Sequence, residues 1–193
     1  MPDYIPFISY VIITTFTPGP NNITSMINSG RVGLRKGIKF NFGIFVGFTV
    51  VMLLCGLFGA LLSEYLPAVK PYLVYVGAAY ILWLAYKIFK SEYRENDDGC
   101  NDMYGFKEGI SLQFVNVKVI LFGVTTLSTF IVPYYNQGEI LLFAIFLAIL
   151  AFISTVSWAL FGSVFHKLFI KKARIMNTLM AALLVYTAIT IVI

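Results

Sequence analysis

Charge is what this sequence has least of. Asp, Glu, Lys and Arg make up 12% of its 193 residues, while hydrophobic residues reach 59%. A soluble domain carries about a quarter charged residues and is near half apolar. A water-soluble fold cannot cover this much apolar surface, so a lipid bilayer must be the solvent for much of the chain. Histidine occurs once, at His166, and cysteine twice, at Cys55 and Cys100. No Asp or Glu lies deep in an apolar run.

Each shortage removes a class of function. A membrane-embedded enzyme needs a constellation of His, Asp, Glu or Cys at depth, and none can be assembled. A metal-ion carrier is the first alternative to an organic-solute transporter. His-rich loops and deep acidic residues are missing for it, and no metal site is read. A thiol-redox carrier, the second alternative, needs two cysteines that can meet. Cys55 lies in an apolar run and Cys100 in a polar loop, without CxxC spacing. No GxxxxGK[ST] segment occurs, so the chain is not an ATPase by itself, and no motif asks for a cofactor. Asp97, Asp98 and Asp102 read as a solvated loop. No Lys or Arg precedes Arg31, so the basic region of a cleaved signal peptide is missing and the first apolar run is expected to persist. The net charge of +5 does not point to nucleic acid, because the basic residues sit in short clusters between apolar runs.

What the sequence does have is six apolar segments, at 4–28, 40–62, 68–89, 106–132, 140–165 and 175–193. The expectation is an all-α, polytopic membrane bundle of six transmembrane helices in one domain, 1–193. Basic residues alternate between the loops. The first has Arg31, Arg35, Lys36 and Lys39; the second only Lys70; the third Lys87, Lys90, Arg94 and Lys107. The fourth has none, and the fifth has Lys167, Lys171, Lys172 and Arg174. Odd loops inside and both termini outside satisfy the positive-inside rule, in a cell (inner) membrane. The polar stretch 90–105 becomes a cytoplasmic linker between half-repeats 1–89 and 106–193. Halves of three helices that start from opposite sides would be inverted repeats, a plan common among transporters.

The first segment is interrupted. Residues 17–22 read Thr17-Pro18-Gly19-Pro20-Asn21-Asn22, and two prolines around a glycine disfavour a regular helix. Thr17 lies about 20 Å from Tyr4 along a helix. The break is therefore within the bilayer or near its inner face, and backbone groups freed there must be buried in protein or line a watery cavity. That makes 17–22 a candidate substrate site. The fourth segment carries Gln113, Asn116 and Lys118, with Asn116 about 15 Å from Phe106. A cation at such depth costs ~2.5–3.5 kcal/mol even on insertion scales, so it needs a partner. A backbone carbonyl, a side-chain oxygen or a substrate carboxylate would serve, unless Lys118 snorkels to the inner edge. Ser154, Thr155 and Ser157 could line a path. Gly43 and Gly47 form a GxxxG pair suited to close helix packing, and the pattern also permits a homodimer.

At Thr17-Pro18-Gly19-Pro20-Asn21, followed by glycines 30, 33, 37, 43 and 47, the sequence resembles the LysE/RhtB family of amino-acid exporters. The family's second signature, Asn-Pro-Lys in the fourth helix, here reads Asn116-Val117-Lys118. Without the proline, the fourth helix can stay continuous. The resemblance covers the whole chain. It implies a secondary exporter of small amino acids or their derivatives from the cytoplasm, exchanged against protons. Thr17, Pro18, Gly19, Pro20, Asn21, Asn22, Asn116 and Lys118 would then bind substrate.

Overall fold

The computed structural model describes residues 4–90 and 104–192, and every regular element in them is a helix. In chain order these are α1 (Tyr4–Phe16), α2 (Pro20–Val32), α3 (Leu34–Leu57), α4 (Gly59–Lys90), α5 (Phe106–Val115), α6 (Val117–Phe130), α7 (Gln137–Val164), α8 (His166–Lys171) and α9 (Ala173–Val192). Cys100, Arg94 and the acidic group Asp97, Asp98 and Asp102 lie outside the described residues.

Leu34–Leu57, Pro71–Lys90, Gln137–Val164 and Ala173–Val192 are each long and apolar enough to cross a membrane. α5 and α6 are long and apolar enough only as a pair, and the pair is bent by 64° at Asn116. This corrects the expectation that the fourth helix stays continuous without a proline. Asn116 has φ −84° and ψ 94°, outside the helical range. Asparagine is a poor interior helix residue and a good first-turn flank, because its amide competes with backbone bonding. Here that amide is drawn sideways to another helix, as described below.

The second expected loop is also different. Where 62–68 was to separate two spans, the backbone of α4 is already helical from Gly59.

The first expected span, 4–28, is two helices. α1 is 13 residues long and apolar, about 20 Å and too short to cross alone. α2 has an opposite character. Asn22, Thr24, Ser25, Asn28 and Ser29 on it are all buried. A helix this polar stays in a membrane protein only when other helices shield it from lipid. It runs along α7 and also touches α3, α8 and α9. The Asn28 amide donates to the Tyr104 carbonyl at 2.9 Å, and the Arg31 guanidinium to Asn177 Oδ1 at 2.8 Å, which fixes its C-terminal end to the residues before α5 and to α9.

The other long contacts are α3 with α5 and α7, and α4 with α9. The α3–α5 contact explains the GxxxG pair. A Cβ on Gly43 would meet the Phe106 carbonyl, and one on Gly47 the Ile110 carbonyl and Gln113. Gly43 and Gly47 are thus occupied inside the chain, letting α5 approach at backbone distance. Two apolar clusters flank the middle of the bundle. One joins Phe7, Val11, Phe48, Met52 and Leu127. The other joins Ile23, Ile27, Ile81, Leu84 and Leu184. α1 and α6 contribute to the first cluster and α2 to the second.

Candidate functional site

The two breaks meet. Asn21, in the first turn of α2, and Gln113, in the last turn of α5, exchange amide hydrogen bonds. Asn21 Nδ2 donates to Gln113 Oε1 at 2.8 Å, and Gln113 Nε2 donates to Asn21 Oδ1 at 3.1 Å. Gln113 Nε2 also donates to its own helix at the Gly109 carbonyl, 3.0 Å away. Asn116 Nδ2 donates to the same Asn21 Oδ1 at 3.0 Å. One asparagine oxygen therefore gathers two amides from the second break. Asn116 Oδ1 is buried and has no hydrogen-bond partner.

Lys118 reaches across to the first break. Its ammonium donates to Thr17 Oγ1 at 2.9 Å, to the Thr17 carbonyl at 3.2 Å and to the Pro18 carbonyl at 3.3 Å. These oxygens stand just past the C-terminal end of α1, where unpaired carbonyls and the helix dipole favour a cation. Two of the partners expected from sequence, a carbonyl and a side-chain oxygen, hold Lys118. Gly19 is extended, a conformation open to any residue, so its glycine is required by proximity: a Cβ there would lie 3.1 Å from both Cδ and Nζ of Lys118. Pro20 opens α2, where its missing N–H costs nothing.

The remaining carbonyls freed at the first break are also taken. Asn22 Nδ2 donates to the carbonyls of Thr15 and Thr17, each at 2.9 Å. Ser154 Oγ on α7 donates to the Thr15 carbonyl at 2.9 Å, and Trp158 Nε1 to the Phe16 carbonyl at 3.3 Å. Protein side chains thus satisfy the carbonyls of Thr15, Phe16 and Thr17 at the first break.

Between the breaks lies a cavity of about 40 Å³, lined on its polar side by Asn21, Asn22, Asn116, Lys118 and Thr155. Phe48, Val119, Phe122 and Ala151 form its apolar side. It has room for about three waters and is well below the ~300 Å³ at which ligand pockets begin. In this structure the cavity is too small to hold an amino acid.

All eight residues singled out from sequence converge here. Gly19, Pro20, Asn21, Asn22, Asn116 and Lys118 line the cavity, while Thr17 and Pro18 are exposed on its outer side and contribute oxygens to Lys118. Of the three α7 hydroxyls, Ser154 braces the break and Thr155 lines the cavity. Ser157 is exposed and donates to its own helix at Ile153. The roles of Gln113 and Trp158 and of the aromatic wall Phe48–Phe122 were missed. Gln113 alone carried a signal, as a polar residue in an apolar run.

Among the described residues no three His, Cys, Asp or Glu side chains gather to hold a metal. Cys55 is buried against the Phe48–Met52 cluster.

Comparison with known proteins decides the family. The model of the LysE type translocator family matches residues 12–193. The chain belongs to the LysE type translocator family. It is a multi-pass inner-membrane transporter, not an enzyme. A protein named cysteine/O-acetylserine efflux protein in Klebsiella pneumoniae is 40% identical over 188 residues, covering 97% of this chain and 95% of that protein. Proteins of the same name in Salmonella choleraesuis and in Escherichia coli O1:K1 are each 41% identical, covering 96% of this chain and 95% of theirs. No solved structure matches the chain.

Proposed function

We propose that this translocator exports small neutral amino acids of the cysteine and O-acetylserine class from the cytoplasm, in exchange for protons. The observation that carries this reading is the Lys118 ammonium on the oxygens of the first break, at the edge of a cavity lined by both broken helices. The names of the relatives supply the substrate class.

In this reading the substrate carboxylate takes Lys118 from Thr17 and Pro18. The first turns of α2 and α6 also open onto the cavity, and the N–H groups of their leading residues, ahead of those that the Gly19 and Asn116 carbonyls accept, lack intrahelical acceptors. The substrate ammonium goes to Asn116 Oδ1, an acceptor without a partner. A short side chain packs on Phe48 and Phe122. Binding would break the tie between Lys118 and α1, so the liganded protein favours a different placement of α1. A solute shifts such an equilibrium only by what it gains in one state over the other.

We place the first crossing in α1 and α2 together and the fourth in α5 and α6, which brings the spans to six with both termini outside. The halves 1–89 and 106–193 act as one transport domain of inverted repeats. Two features support that symmetry: each half opens with a broken helix, and α1 and α2 contact α7 as α5 and α6 contact α3.

Inside-out vesicles carrying the protein test the reading. They should accumulate labelled cysteine and O-acetylserine when acidified inside, and lose that uptake when a protonophore removes the gradient. Uptake that ignores the gradient would refute proton exchange. Folded protein that transports no amino acid would refute the substrate class.

A further inference from the structure

A second and larger cavity, about 340 Å³, lies between α4 and α5 with its floor on α2. That is within the size range of small-molecule sites. Its walls include Tyr80, Trp83 and Tyr104, and its polar lining includes Lys87, Lys107 and Glu108. At the floor is Thr24, which is 1% exposed and whose hydroxyl has no hydrogen-bond partner. Burying a hydroxyl without a partner is unfavourable by about 1–3 kcal/mol on protein scales. An orphan hydroxyl at the floor of a roomy cavity therefore points to a ligand that supplies the missing bond.

The position relates this cavity to the transport site. Thr24 follows Asn21 by three residues, so the two share one face of α2, about 4.5 Å apart along its axis. α5 contributes to both places, with Ser111 and Leu112 lining the larger cavity and Gln113 bonded to Asn21. The Asn21–Gln113 pair stands between the two.

We propose that this cavity is a second binding site for the transported solute, a waiting position from which it reaches the site beyond Asn21 and Gln113. The proposal rests on the reading that the protein carries amino acids. The chemistry suits a zwitterion. Lys107 offers a cation to the carboxylate. Glu108 offers an anion to the ammonium; one of its oxygens already accepts from the Gly105 N–H at 2.8 Å. The aromatic wall already holds a cation, since Lys87 Nζ lies 5.7 Å from the Trp83 ring and 5.3 Å from that of Tyr104. Thr24 bonds the ligand from below.

Of the two tryptophans, Trp83 lines the larger cavity and Trp158 bonds to the Phe16 carbonyl at the first break, which allows a selective readout. In purified Trp158→Phe protein, emission from Trp83 should change saturably with O-acetylserine. Lys107→Gln should weaken that response by roughly tenfold, as expected for loss of a charge-assisted bond. Thr24→Val should weaken it less, and Lys118→Gln should leave it intact. In the wild-type background Lys107→Gln should raise KM for uptake more than it lowers kcat. Absence of a saturable Trp83 response, while wild-type vesicles transport the same solute, would overturn the proposal. So would a response indifferent to both Lys107→Gln and Thr24→Val, or one produced by anionic phospholipid and not by the amino acid. A normal Trp83 response in protein that transports nothing would leave this site standing and refute the export reading instead.

Discussion

Lys118 Nζ lies 2.9 Å from Thr17 Oγ1, joining the second broken helix to the first across 101 positions of sequence. A cation placed there is held by the negative end of α1 and has no place in lipid. The tie is polar, short and made of groups a zwitterionic solute can also bind. On the proposed reading it is both a latch between the two broken helices and the point at which a substrate would open it.

Gly19 tests that latch without touching its partners. Gly19→Ala puts a methyl 3.1 Å from Lys118 Cδ and Nζ, closer than such atoms ordinarily come. The lysine end must give by a few tenths of an ångström, which weakens the bonds to Thr17 and Pro18 while α1 and α2 keep their helical form. Stability should fall by about 1–2 kcal/mol. Uptake should fall much more than thermal stability in detergent does, and equal small losses in both would argue against a functional latch.

The Asn21–Gln113 pair should behave as one unit. Asn21→Ala leaves the amides of Gln113 and Asn116 without their shared acceptor, so it should destabilise by about 2–3 kcal/mol. Gln113→Ala should do much the same. In a double-mutant cycle read by thermal unfolding, the coupling should exceed roughly 1 kcal/mol. Additive single effects would mean that the two breaks do not depend on each other.

Close helix contact sets a third expectation. Gly43→Ala directs a methyl at the Phe106 carbonyl, a backbone atom that cannot swing aside. α5 must then shift, at a cost of about 1–3 kcal/mol, and Gln113 shifts with it. Gly138→Ala is the matched control, because its nearest neighbour would be Asn136 Oδ1 at 3.4 Å. Yield of folded protein by size exclusion should drop for Gly43→Ala and hold for Gly138→Ala.

Much of this was legible in the sequence. Apolar runs and alternating basic loops led to a membrane bundle, and Thr17-Pro18-Gly19-Pro20 marked the first break. The depth of Lys118 demanded a partner, though only the fold could say that Thr17 and Pro18 supply it. The second break was misread because proline was treated as the requirement. Asn116 leaves the helix through a tertiary bond to Asn21, which no local rule contains. The start of α4 was also hidden, since Lys70 and its prolines look like a loop. Phe48 and Phe122 were invisible for a different reason: in a chain this apolar, an aromatic side chain facing a cavity has the same sequence signature as one facing lipid.

The most direct test of the central claim is the rate of O-acetylserine uptake into acidified inside-out vesicles by Lys118→Gln protein, whose folding is checked by its thermal transition. Glutamine can still reach Thr17 but carries no charge for a carboxylate. Losing a charge-assisted bond predicts a fall in kcat/KM of roughly tenfold to a hundredfold, with Lys118→Arg recovering part of it. Uptake by Lys118→Gln at the wild-type rate would contradict the account and move the solute's carboxylate to some other part of the protein.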